Sequence, residues 1–201
     1  MGMIAIGVAT LGIGGRATAA VEEMAPLPPA AASASPAASA AKLVAFEALA
    51  ALLPSPPEGW SAEKPEGAMS DSDDLRLTTA ERIYWKGEEG EPNAATAAVT
   101  IIDFGGDEAY REAIQAGWRA QAQSEAEGPG TTAEREATAD RMVEIDGWRG
   151  FEHRAETEPA CSLSVIVGGR FSVQVALTGL PPEALRGWLK RIDLQKLAGL
   201  R

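Results

Sequence analysis

Asp140-Arg141-Met142-Val143-Glu144-Ile145-Asp146-Gly147-Trp148-Arg149-Gly150-Phe151-Glu152-His153 is the stretch on which the fold turns. Its Asp146-Gly147 step is the strongest short signal for a two-residue hairpin turn, so two strands and their register follow at once. Ile145 then faces Trp148, Glu144 faces Arg149, Met142 faces Phe151, Arg141 faces Glu152 and Asp140 faces His153. Every one of these pairs matches apolar with apolar or charge with opposite charge, which a slipped register would destroy. Val143 faces Gly150, where the missing side chain leaves room for a bulky neighbour.

The next hairpin follows the same logic with a different loop. Cys161, Leu163, Val165 and Val167 form one apolar row, and Phe171, Val173, Val175 and Leu177 form another. A two-residue Gly168-Gly169 turn would put the rows on opposite faces of the sheet. A three-residue loop, Val167 to Gly169 with Gly169 left-handed, brings them together and sets Val165 against Phe171, Leu163 against Val173 and Cys161 against Val175. Cys161 in such a row reads as a buried structural thiol rather than a nucleophile.

Working upstream, Leu75 to Lys86 and Thr96 to Phe104 read as two further strands around a Gly/Glu/Pro/Asn loop. Gly105-Gly106 breaks the second, and Asp107 stands where a helix cap belongs. Glu108 to about Glu125 should be helical, with Tyr110, Ala113, Ile114, Gly117 and Trp118 on its packed stripe. Leu43, Phe46, Ala50 and Leu53 give a short helix stopped by Pro54, after which a proline-rich segment delivers Trp60. The polar stretch holding Asp71, Asp73 and Asp74 reads as a solvated loop. As a calcium loop it would need glycine and a carboxylate where Arg76 and Arg82 stand. Downstream, Pro181-Pro182 opens a final helix with Leu185, Trp188, Leu189 and Ile192 as its packed face. The order helix, two strands, helix, four strands, helix gives an α+β fold: one domain over residues 42–201, with a mostly antiparallel sheet of about six strands covered by helices.

The segments before this domain have other characters. Met3 to Gly15 is an apolar run followed by Arg16 and Ala17-Thr18-Ala19, the pattern of a signal peptide over residues 1–19. It is shorter than the roughly 20 residues of a membrane span and is interrupted by Gly7, Gly12, Gly14 and Gly15, so no stable membrane insertion is expected after cleavage. A nucleotide-binding reading of Gly12-Ile13-Gly14-Gly15-Arg16-Ala17 fails because Pro26, Pro28 and Pro29 stop the helix it requires. Residues 20–41 are nearly all Ala, Pro and Ser, a disordered tether by composition.

The chain carries 29 acidic and 18 basic residues, a net charge of −11 that becomes −12 once Arg16 leaves with the leader. Nucleic acid and anionic lipid are therefore poor partners. The single cysteine excludes an intramolecular disulfide, and stability must come from the core.

Several short segments carry a resemblance. Ile102-Asp103-Phe104-Gly105-Gly106, Ile145 to Glu152, Gly169-Arg170-Phe171-Ser172-Val173, and Ile192-Asp193-Leu194 with Leu197 and Leu200 together make residues 43–201 resemble a group of secreted bacterial proteins of unknown function. The element order is similar to that of the Mog1/PsbP-like sandwich. That resemblance implies a fold and a periplasmic or secreted location. It carries no catalytic residues, and the wider fold class mostly serves as binding or accessory modules.

Two functional expectations follow. A non-catalytic binding module would contact a protein or a cell-envelope component, with Trp60 and Trp85, each beside a loop, as the anchor residues. The alternative is an envelope enzyme in which Asp140 orients His153, the only histidine, for acid/base chemistry. No nucleophile-elbow sequence supplies a third member. His153 and Glu156 project to opposite faces of a strand, so no metal site and no cofactor are expected.

Overall fold

A computed structural model of the chain describes residues 42–72, 75–87, 94–126, 140–154 and 160–200. The expected leader and tether lie outside the described residues, as do Asp73, Asp74 and Glu156.

The architecture is α+β, built among the described residues on an antiparallel sheet of eight strands. In chain order these are β1 (Ser61–Ala62), β2 (Glu66–Ser72), β3 (Leu75–Lys86), β4 (Ala95–Asp103), β5 (Arg141–Ile145), β6 (Trp148–Arg154), β7 (Ala160–Val167) and β8 (Phe171–Thr178). Across the sheet they run β1-β3-β4-β8-β7-β6-β5, with β2 pairing the same edge of β3 below β1. Among the described residues the helices are α1 (Phe46–Ala50), α2 (Glu108–Ala126), α3 (Ala184–Leu189) and α4 (Leu194–Ala198).

Among the described residues the sheet has two more strands than the six expected. The stretch taken for a polar loop forms β2, in which Asp71 stands opposite Arg76. Alternation there is polar on both sides, so no hydrophobic period marks it; backbone pairing to β3 holds the strand in place.

The β5–β6 register is the expected one at all five strand pairs, from Arg141 opposite Glu152 to Ile145 opposite Trp148. Its turn places Asp146 and Gly147 at φ 52° and 82°, the left-handed pair that a type I′ turn requires. The β7–β8 register differs from expectation by two residues: Val167 faces Phe171, Val165 faces Val173, Leu163 faces Val175 and Cys161 faces Leu177. Both apolar rows still share a face. The loop is Gly168-Gly169-Arg170, with both glycines left-handed at φ 60° and 66° and the Arg170 N–H donating to the Val167 carbonyl at 3.1 Å. Two consecutive positive-φ residues turn the chain later than one would.

One face of the sheet carries the main core. Ala80 and Tyr84, then Val99 and Ile101, Val173 and Val175, and Leu163 and Val165 are fully buried beneath α1, α3 and α4. Each buried aliphatic side chain contributes about 1.5–3 kcal/mol. The Tyr84 hydroxyl donates to the Pro54 carbonyl at 2.7 Å, fixing the chain where α1 ends, and burial pushes its pKa up to about 12 despite the neighbouring Arg82. The expected single carboxyl-terminal helix is two: Asp193 caps a new one by accepting from Lys196 N–H at 2.8 Å. Leu185, Trp188, Leu189 and Ile192 are all buried as expected.

The second face is covered only in part. Asp107 caps α2 as expected, accepting from the Tyr110 N–H at 2.9 Å. The helix packs Trp118 on Phe151, with parallel rings 6.0 Å apart, alongside Phe104 and Ile166. Its stripe is Tyr110, Ile114, Trp118 and Ala122, a strict four-residue spacing; Ala113 and Gly117 are exposed, because a helix lying on a flat sheet buries a narrower band than one in a bundle. No described helix is long and apolar enough to cross a membrane.

Candidate functional site

The two tryptophans expected to anchor a partner fall on opposite sides of the sheet. Trp60 turns toward the main core, its ring edge-on to Trp188 at 5.0 Å between centroids. Trp85 lies near the end of β3, opposite Thr96 of β4, and is half-buried. It shares the second face with Ile83, Ala98, Thr100 and Ala176, which strand alternation brings to the same side. Among the described residues no helix covers this part of the sheet, so the patch presents a flat surface of small and polar side chains with Trp85 at its margin.

The second candidate site lies on the same face, toward the other edge. His153 Nδ1 is 2.5 Å from Asp140 Oδ1, and the same oxygen accepts the Arg154 backbone N–H at 3.2 Å. The Asp140 side chain is fully buried and that of His153 is 38% exposed. A carboxylate at this distance holds the proton on Nδ1 and leaves Nε2 as the basic nitrogen. The Gln121 side-chain amide of α2 approaches the ring at 3.3 Å. The dyad foreseen in the hairpin register is thus formed, although Asp140 sits one residue before β5 begins.

Ser162 was missed by sequence reasoning. It stands directly across from His153 on β7, so Asp140, His153 and Ser162 form one row on the face. The alternation of β7 placed its serines opposite the apolar row, but the β6–β7 register, which no turn motif fixes, was needed to align them. Among the described residues no hydrogen bond joins Ser162 to His153, and the row is not closed into a nucleophile–base pair.

Cys161 points the other way, into the core, and is 4% exposed. Burial pushes its thiol pKa up to about 11; the nearby Arg154 guanidinium lowers it only partly, while Glu152 and Glu183 raise it. A thiol so shifted is a poor nucleophile near neutrality. Close by, Glu152 is 3% exposed and accepts from Arg141 at 3.1 Å and from Arg154 at 2.7 Å. Burial works to raise its pKa, but the two guanidiniums outweigh it and hold the carboxyl below the usual range. Among the described residues no three His, Cys, Asp or Glu side chains gather into a metal-holding group.

Compared with family models, curated proteins and solved structures, the chain has no match.

Proposed function

We propose that this chain is an exported bacterial binding or accessory module, acting in the periplasm or outside the cell on a protein or cell-envelope partner without catalysing a reaction. The observation that carries this reading is the uncovered part of the second sheet face, where Ile83 and Trp85 stay half-exposed beside Ala98, Thr100 and Ala176. A rigid sheet presenting a tryptophan among small side chains offers contact area without the cost of ordering loops. The antiparallel sheet with helices on both faces is compatible with a Mog1/PsbP-like sandwich, which we propose as the finer fold, and the apolar leader with its Ala17-Thr18-Ala19 end supports export. The mature chain, used as bait in envelope extracts, should retain a partner that Trp85→Ala loses while the fold stays intact by circular dichroism. Retention unaffected by Trp85→Ala would remove this face from the proposal.

A second reading is favoured by one contact, the 2.5 Å approach of His153 to Asp140. In an enzyme that uses the pair, His153 Nε2 takes a proton from the reacting group and Asp140 stabilises the imidazolium. His153→Ala separates the two readings. A binding module keeps its cellular phenotype with this substitution, and a histidine-dependent enzyme loses it.

A further inference from the structure

We infer that the uncovered part of the second sheet face is a docking site for an extended basic polypeptide segment, which sets lysine or arginine side chains on Glu66, Glu81 and Trp85. This rests on the binding-module reading and names the chemistry of its partner. The starting observation is how strand alternation sorts charge. On β3 the basic residues Arg76, Arg82 and Lys86 fall at even positions and turn, with Tyr84, to the face that carries the main core, whereas Glu81 falls on the odd side with Ile83 and Trp85. Arg82 marks the side, since its guanidinium lies over the Tyr84 ring at 5.6 Å.

Glu66 of β2 stands directly opposite Glu81, and both are exposed. Like charges facing each other across a strand pair destabilise it, and a bound cation relieves that repulsion. Glu81 accepts from the Thr100 hydroxyl at 2.9 Å, and among the described residues neither carboxylate has an ion pair. Glu63 adds a third acid: its N–H donates to the Ile83 carbonyl at 3.0 Å, which continues the β1 register and sets it opposite Ile83. Through β4, β8 and β7 the same face carries only uncharged side chains, among them Thr100, Gln174 and Ser164. The cations bordering the face are Lys64, in the step between β1 and β2, Arg119 on α2, and Arg149 on β6, which stands opposite Glu144. Arg111 of α2 is bonded to Glu108 at 2.8 Å, and His153 is held by Asp140. The strip along β1, β2 and β3 thus sets Glu63, Glu66 and Glu81 against Lys64.

Charge complementarity selects a basic partner. An anionic one is opposed by this strip and by the chain's net charge of −11, and a neutral one leaves Glu66 facing Glu81. The geometry makes that partner extended. Glu81 and Trp85 lie four residues apart on one side of a strand, about 13 Å at about 3.3 Å per residue. A peptide strand laid along β3 presents its side chains at the same period, so cations at positions i and i+4 reach the carboxylate pair and the indole ring together, with a small residue between them over Ile83. The cation over Trp85 is attracted by the ring's negative face.

The probe is a fluorescently labelled nine-residue peptide with lysine at its first, fifth and ninth positions and serine or alanine between, titrated with the mature chain and followed by anisotropy. Binding should weaken at least about tenfold between about 50 mM and 500 mM salt. It should fall at least about fivefold in the Glu66→Gln, Glu81→Gln double variant and at least about threefold in Trp85→Ala. Glu47→Gln with Glu183→Gln, a charge-matched pair at exposed sites on α1 and beside α3, should stay within about twofold, and Lys64→Ala should bind no more weakly than the parent. Matched circular dichroism and Tm values show that the variants fold. The proposal is overturned if the Glu66→Gln, Glu81→Gln variant binds as well as the parent, if the charge-matched pair loses as much, or if a peptide with its three lysines adjacent binds as tightly as the spaced one. It is overturned too if calcium displaces the peptide beyond the effect of sodium chloride at equal ionic strength, if a neutral oligosaccharide competes, or if sedimentation shows that the face serves self-association. Retention of an envelope partner that needs Trp85 but not Glu66 and Glu81 would remove the basic segment and leave the sheet-face reading standing; peptide binding as expected, with no envelope partner lost in Trp85→Ala, would sink that earlier reading alone.

Discussion

Arg170 grips Asp103 with two parallel hydrogen bonds, Nε to Oδ1 at 2.8 Å and a terminal nitrogen to Oδ2 at 2.7 Å, joining the β7–β8 loop to the end of β4. Asp103 is fully buried, and the Arg170 side chain is 13% exposed. The carboxylate also accepts the Val44 N–H at 2.7 Å and the Gly105 N–H at 2.8 Å, while Arg170 donates to the Lys42 carbonyl at 2.6 Å. One ion pair thus fixes where the chain enters the domain.

Removing one member leaves the other buried without its partner, which costs about 3–5 kcal/mol. Asp103→Ala should therefore lower Tm by roughly 6–20 °C, at about 2–4 °C per kcal/mol for a domain of this size. Replacing both, Asp103→Leu with Arg170→Met, should cost less than the two single substitutions added together. Thermal unfolding of the three variants measures the coupling, and strict additivity would contradict it.

The Glu152 clamp makes stability depend on pH in a definite direction. Its folded pKa lies below the usual value of 4.5, so its contribution is present above that value and is lost as pH falls through the folded pKa. Urea unfolding at pH 7 should find Glu152→Gln less stable than the parent. The gap should close as pH drops below 4.5. A gap that stays constant down to pH 2 would show that hydrogen-bond geometry alone, and not ionisation, sets the difference.

Cys161 should resist thiol reagents in the folded chain. With the thiol pKa raised to about 11, disulfide exchange with an aromatic disulfide at pH 8 should be slow and should accelerate on adding denaturant. The same shift has a stability consequence of the opposite pH sense. A raised pKa leaves the folded state favoured below the unfolded value of 9.0, and that advantage is lost as pH rises toward 11. Fast labelling of native protein at pH 8 would show the site to be open.

These groups differ in how visible they are in the sequence. The Asp140–His153 contact was legible because Asp146-Gly147 sets a register that can be counted outward. The Asp103–Arg170 pair was not, since the two residues lie 67 positions apart and meet only when β4 and β8 become neighbours. β2 stayed hidden for a different reason: with neither face deeply buried, its residues carry no alternation to detect. The two-residue shift in the β7–β8 loop preserved both apolar rows, so the pattern of Val and Leu could not discriminate between registers of the same parity. Ser162 shows the general limit, because side chains on the polar face of a strand align only through its neighbours.

Gly150 tests the most legible part of the fold. The sequence placed it opposite Val143 as a space for a bulky neighbour, and the structure fills that space from both sides. A Cβ there would lie 3.3 Å from Val143 Cγ2, 3.2 Å from Val165 Cγ2 and 2.6 Å from the Ser164 carbonyl oxygen. The valine methyl groups can yield by rotation, but the carbonyl belongs to the β6–β7 ladder and cannot. Gly150→Ala should destabilise the domain by about 1–3 kcal/mol, in the range for overpacking. Adding Val143→Ala removes one of the two methyl contacts and leaves the carbonyl contact, so it should recover only a minor part of the loss. Full recovery in chemical denaturation would mean that side-chain crowding, rather than the approach of the β7 backbone, demands glycine at this position.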